Sequence, residues 1–203
     1  MEQLDAVEAA LAEHAQIERD LSDPAVHADA GRARRLGRRY AELGRVVQAY
    51  RAWRAAADDA QLGLAARTVD AVACGEQQPE TDHRYTGTGT WTGATDDGRH
   101  WRATRERFAY RLSDPEARGA VLRVTYLAQP GVARVLVDGV AVGTLEVTDS
   151  AAGTRTVDLP LAAVVAGGVD EHVPRDAREI AFVTDGRTPS PPVVAVHLLT
   201  GAP

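Results

Sequence analysis

Residues 134–144 read RVLVDGVAVGT. Val135 and Val137 precede Asp138-Gly139, and Val140, Val142 and, just beyond, Leu145 follow it. β-branched residues alternating on both sides of an Asp-Gly pair specify a hairpin, because both turn residues must adopt φ > 0. The same period of two runs outward. Phe108, Tyr110 and Leu112 alternate with polar residues, and Leu122, Val124 and Tyr126 alternate with Arg123 and Thr125. Further strands are expected at Thr154–Leu159, Glu179–Thr184 and Val193–Leu199, with a short helical cap at Leu161–Ala166. Turn signals at Ser113-Asp114-Pro115, Gln129-Pro130-Gly131 and Asp185-Gly186 separate several of them. Short strands at this spacing predict an antiparallel β-sandwich of jelly-roll type.

The period changes near Gly63. Upstream, Leu4, Val7 and Leu11 recur at helical spacing, and Ile17 and Leu21 continue the stripe. Asp23 is a good N-cap and Pro24 suits a first helical position, so one helix stops at Ser22 and a short turn follows. Gly31 allows another break. Leu36, Tyr40, Leu43, Val47, Tyr50 and Ala57 then mark a long helix with one apolar face. Two such stripes predict a helical hairpin. The chain is therefore α+β: residues 1–62 helical and coiled-coil-like, 63–82 a junction, 83–203 the sandwich. Within the junction, Ala65–Val72 fits either an extension of the helix or an isolated strand.

Composition narrows the chemistry. Hydrophobic residues make up 44% of the 203, enough for a core. No lysine is present, which excludes a Schiff-base or P-loop lysine. The net charge of −6 disfavours non-specific binding to nucleic acid. No apolar run reaches the ~18 residues of a membrane span. The N-terminus lacks the pattern of a signal peptide, and one cysteine, Cys74, permits no internal disulfide, so a cytoplasmic location is expected.

Candidate chemistry is sparse. His83, His100, His172 and His197 are scattered without i, i+4 pairing, so no metal is expected. Asp96, Asp97, Asp138, Glu146 and Glu171 are the carboxylates from which a glycosidase pair would be drawn. Asp96-Asp97-Gly98 and Asp138-Gly139 read more simply as turns. Cys74 has no neighbour that would activate it. The TGTGT run at Thr86–Thr90 lacks the strand–helix context of a dinucleotide fingerprint. No catalytic residue and no cofactor is assigned. Two groups remain as binding candidates. Trp91, Arg99, His100, Trp101 and Arg102 combine aromatic faces for sugar rings with donors for hydroxyls, against the alternative that both Trp side chains are packing. Arg34, Arg35 and Arg38 belong to the densest charge cluster and suit RNA, against the alternative of a solvated helix face.

Two family resemblances follow from quoted motifs. The run LAEHAQIERDLSDPAVHADAGRARRLGRRYAELGRVVQAYRAW resembles the N-terminal helical domain of bacterial class-one peptide chain release factors, over roughly residues 1–62. That resemblance implies a domain that helps seat the protein on the ribosome, for which Arg34, Arg35 and Arg38 are the contacts expected from charge density alone. The Gly-Gly-Gln on which peptide release depends in that family is absent from this chain. The series GEQQPETDHRYTGTGTWTG, RHWR, FAYRL, LRVTYL and VLVDGVAVGT is similar to the C-terminal β-sandwich of β-L-arabinofuranosidase-type glycoside hydrolases, over roughly residues 66–200. In that family catalysis lies in a separate helical toroid, and the sandwich is accessory. The resemblances together imply a non-catalytic, chimera-like protein with a packing or weak carbohydrate-binding role. The alternative is a ribosome-associated protein. A sandwich without its toroid also exposes apolar surface, which implies a homodimer.

Overall fold

The computed structural model describes residues 2–162 and 176–201. The chain divides into two compact units, Met1–Gly63 and Leu64–Pro203.

The first unit is helical. α1 spans Glu2–Leu21, α2 is the single turn Pro24–His27, and α3 runs Ala30–Arg67, crossing the boundary between the units. The Asp23 carboxylate accepts the Ala25 amide at 2.9 Å, the cap expected before Pro24. Asp29, not Gly31, sets the start of α3. Its Oδ1 accepts the amides of Gly31 at 2.9 Å and Arg32 at 3.0 Å. Ile17 of α1, Val26 of α2 and Leu43 and Val47 of α3 are buried. The rings of His14 and Tyr40 stack at 4.2 Å, and Arg39 makes a two-pronged pair with Glu13 at 2.7 Å. The expected stripe ends at Tyr50, however. Ala57 is exposed, as is every residue from Arg51 to Gly63.

The second unit is the antiparallel sandwich. Its strands among the described residues are β1 (Thr68–Ala73), β2 (Thr86–Ala94), β3 (His100–Ser113), β4 (Val121–Leu127), β5 (Gly131–Val137), β6 (Val140–Val147), β7 (Thr154–Pro160), β8 (Ala177–Val183) and β9 (Val193–Leu199). A short helix, α4, spans Gln77–Asp82. Strand order is β6-β5-β8-β3-β9-β4-β7, with β1 on β9 and β2 on β3. β3 and β9 meet through one pair, Arg102↔Val193, so the sheet folds into two leaves there. One leaf holds β2, β3, β8, β5 and β6; the other holds β1, β9, β4 and β7.

Local chemistry accounts for the elements. The β5–β6 hairpin closes on Asp138 and Gly139 at φ 51° and 82°, as the Asp-Gly signal requires. The stretch expected to be a junction contributes β1, which pairs with β9 in the register Ala71↔His197, and α4. The helical cap expected at Leu161–Ala166 lies largely outside the described residues. Alternation places Phe108, Tyr110 and Leu112 of β3 on the core side with Ile180 and Phe182 of β8. Leu122 and Val124 of β4 and Val196 and Leu198 of β9 are buried in the same core. Phe108 stacks on Phe182 at 4.7 Å and meets Tyr110 edge-on at 5.7 Å. Phe182→Ala should therefore cost about 3–5 kcal/mol in reversible denaturation, whereas Val132→Ala, at a partly exposed position, should stay within about 0.5 kcal/mol.

Candidate functional site

The five residues of the sequence-derived aromatic cluster lie on β2, on β3 and in the turn between them. That turn runs Thr95–Arg99. The Gly98 amide donates to the Thr95 carbonyl at 2.9 Å, and Gly98 has φ 81°. Asp97 accepts from Thr95 Oγ1 and from Arg99 Nε, the latter at 2.9 Å. The Arg99 and Thr95 hydrogen bonds hold the Asp97 carboxyl down at about 2, so the ion pair persists across the physiological range.

The register of the ribbon then sorts the candidates onto two faces. Trp91 lies opposite Ala103, and Gly93 opposite Trp101, so both Trp side chains project from the same face. Arg102 lies opposite Thr92 and His100 opposite Ala94, so these two project from the other face. The indole of Trp101 lies across Gly93, where any Cβ would overlap its six-membered ring. Trp91 is 39% exposed.

On the Trp face is an open cleft of about 500 Å³. Trp101 and Arg99 line it, together with Asp97 and, across from them, Leu127, Gln129 and Ala152. It therefore has an aromatic plane, an ion pair and a side-chain amide. Of the five predicted residues the structure brings Trp101 and Arg99 to this cleft. Trp91 shares their face but does not line it, and His100 is exposed on the opposite one. Gln129 carried no sequence signal beyond its place in a turn.

Arg102 instead enters a buried polar cluster. Its Nε and Nη2 donate to the two carboxylate oxygens of Glu80 in α4, each at 2.6 Å. Its Nη1 donates to the Tyr85 hydroxyl at 2.9 Å, and its guanidinium carbon lies 4.1 Å from the Tyr85 ring centroid. Glu80 Oε1 also accepts the Tyr110 hydroxyl and the Gly75 amide, both at 2.7 Å. Burial pushes the Glu80 carboxyl up, but Arg102, the Gly75 amide and Tyr110 outweigh it and hold it below the ordinary glutamate value. Burial likewise pushes the neighbouring Cys74 thiol up to about 12, so it stays protonated. Every polar group of Glu80 is engaged, which makes this cluster a structural tie.

A larger cleft of about 720 Å³ is lined by Asp70, His83, Arg84, Arg111 and Glu179, among others. It has no Trp, Tyr or Phe in its lining, and two of its polar groups already meet: His83 Nε2 lies 3.2 Å from Asp70 Oδ1. Among the described residues no group of three His, Cys, Asp or Glu is placed to hold a metal ion. Glu171 and His172 lie outside the described residues. In the helical unit Arg34, Arg35 and Arg38 are all exposed.

The β-sandwich belongs to a recognised family: residues 63–199 match the family of unknown function DUF6805, and the chain is a member of it. The helical part is similar to peptide chain release factor 1. It is 70% identical over 57 residues to that of Kineococcus radiotolerans, and 47% identical over 75 residues to that of Kocuria rhizophila. Those matches cover 28% and 37% of this chain but only 16% and 20% of the factors. Among solved structures, a family 35 carbohydrate-binding module from Clostridium thermocellum superposes with a TM-score of 0.43 at 10% identity, covering 64% of this chain and 98% of the module. No helix among the described residues is long and apolar enough to cross a membrane.

The Glu80–Arg102 pair makes a pH-dependent contribution. Glu80 is held below its unfolded value, so its stabilisation is complete above about pH 4.3 and is lost as the pH falls through the lower folded value. Glu80→Gln should cost about 3 kcal/mol at neutral pH by leaving a buried guanidinium without its carboxylate. On acidification the variant should lose less stability than wild type, so denaturation curves of the two should converge towards low pH.

Proposed function

We propose that the sandwich is a non-catalytic accessory module that binds carbohydrate weakly in the cleft floored by Trp101. The observation that carries this is the pairing of Trp101 with Gly93. A glycine opposite the indole lets the ring lie flat against β2, which gives a fixed apolar plane of the kind a sugar ring's C–H face covers. Arg99, Asp97 and Gln129 around the rim supply donors and acceptors for hydroxyl groups. Trp91, on the same face, extends the surface. His100 and Arg102 have no part in it. Isothermal calorimetry against arabinose-containing oligosaccharides should give a measurable heat at millimolar ligand. Trp101→Ala should weaken binding about tenfold or more, as loss of an aromatic anchor does. Gly93→Ala should weaken it comparably while leaving both tryptophans present. Absence of heat with the wild-type chain would sink the reading.

A second reading concerns the helical unit alone and is favoured by its 70% identity to a release factor over 57 residues. In it, Arg34, Arg35 and Arg38 contact ribosomal RNA, which would place the chain in the cytoplasm. Co-sedimentation with ribosomes should be salt-sensitive and should be lost when all three become Ala. Binding unchanged by those substitutions counts against it.

A further inference from the structure

The larger cleft, of about 720 Å³, lies at one end of the sandwich, where α4 and β3 end and β8 begins. Arg84 and Arg111 both line it and both are exposed. Neither guanidinium has a hydrogen bond or ion pair with another described residue. Their backbones are joined, because the Arg111 amide donates at 2.7 Å to the carbonyl of His83, the residue before Arg84. The carboxylates of the cleft are mostly engaged. Asp70 accepts the amides of Ala71 and Ser113 and faces His83. Asp138 accepts the Glu179 amide at 3.0 Å and Arg178 Nη1 at 3.2 Å, and Glu179 pairs with Arg107 at 2.5 Å. Only Asp82 and Asp176 have no ion pair with another described residue. Arg84 also holds a backbone conformation that a side chain disfavours. α4 closes in a Schellman turn: the Tyr85 amide donates to the Glu80 carbonyl at 2.9 Å, and the Arg84 amide to the Thr81 carbonyl at 3.1 Å. That sets Arg84 at φ 51°, where glycine is the usual occupant. An exposed side chain with no partner gives the fold nothing in return, and strain of this kind gathers at ligand sites.

We propose that this cleft binds a sugar acid, with Arg84 and Arg111 taking its carboxylate. A guanidinium presents paired N–H donors that match a carboxylate, and two of them without partners in one cleft select an anion over a neutral ligand. The remaining lining selects the body of the ligand. Hydroxyl groups donate as well as accept, so a polyhydroxylated ring suits Asp82 and Asp176, the two carboxylates that lack a cation. A phosphate dianion carries more charge, and those same carboxylates would repel it. This cleft shares no lining residue with the Trp101 cleft, so the inference does not rest on sugar binding there.

Titration of the full, isotope-labelled chain with D-glucuronate, followed by NMR, tests this. The amide signals of Arg84, Arg111 and Ser113 should shift and saturate at millimolar ligand, and the affinity should fall as salt is raised. Arg111→Gln should weaken binding about tenfold or more, as loss of a charge-assisted hydrogen bond does. Arg84→Gly separates the ligand from the fold. It should weaken binding to a similar degree without lowering the thermal midpoint, because glycine is at ease at φ 51°. Trp101→Ala should leave these shifts unchanged, so failure of one cleft is distinguishable from failure of the other. D-glucose, which lacks the carboxylate, should not move the Arg111 signal at the same concentration. Signals that never saturate with glucuronate overturn the proposal, as does an affinity indifferent to both arginine substitutions. Equal binding of glucose, inorganic phosphate or glycine at these signals overturns it too.

Discussion

The bidentate pair between Arg102 and Glu80 constrains the sandwich more than any other interaction. A guanidinium and a carboxylate taken out of water are tolerated only when their hydrogen bonds are met. Here α4 supplies the carboxylate, the turn before it supplies the Gly75 amide, β2 and its approach supply Thr90 and Tyr85, and β3 supplies Arg102 and Tyr110. Elements from separate parts of the chain are thus tied at one point, and none can shift without stranding a buried charge. The tie also has a consequence at the surface. Side chains alternate along a strand, so turning Arg102 towards Glu80 turns Trp101 to the opposite face.

That consequence distinguishes the two clefts. In the larger one the groups are ionic and some already satisfy one another, as His83 and Asp70 do; a neutral ligand would have to displace those contacts. In the smaller one the only ionic contact among the lining residues is Asp97 with Arg99, which closes a turn and still leaves further hydrogen-bonding capacity on both groups. The apolar plane beside it is held by the backbone of β2 through Gly93. A ring fixed in this way loses little conformational freedom when covered, so a ligand gains the contact at low entropic cost.

The sequence displayed what is local and concealed what is not. The Asp138-Gly139 hairpin, the Asp23-Pro24 cap and the alternation in β3 and β4 are short-range patterns, and each is present where expected. For Ala65–Val72 the sequence left helix and strand both open, because the partner of β1, β9, lies more than a hundred residues away and no local signal reports a pairing such as Ala71↔His197. Glu80 was concealed for a related reason: it sits in GEQQPETD, a run with no apolar periodicity, and acquires its role only when Arg102 reaches it. At the candidate cleft the sequence brought together Trp91, Arg99, His100, Trp101 and Arg102 by proximity. Strand parity separates them, with Trp101 on one face and His100 and Arg102 on the other. Parity was available from the sequence, but which face was buried depended on Glu80.

The two sequence families meet inside a helix. The family match begins at residue 63, inside α3, where the release-factor-like stretch of roughly residues 1–62 ends, and α3 continues to Arg67 before β1 begins at Thr68. A helix is the secondary structure best suited to such a join, because each backbone hydrogen bond spans only four residues and no distant partner must be found. The run from Ala55 to Ala66 is rich in Ala and Leu, the strongest helix formers, and continuity there needs nothing more. A join within a strand would have required a matching register on a neighbour. Each unit accordingly carries its own core, Leu43 and Val47 with Ile17 in one, Phe108 and Phe182 with their neighbours in the other. The residues lining the Trp101 cleft all belong to the sandwich, and Arg34, Arg35 and Arg38 all belong to the helical unit.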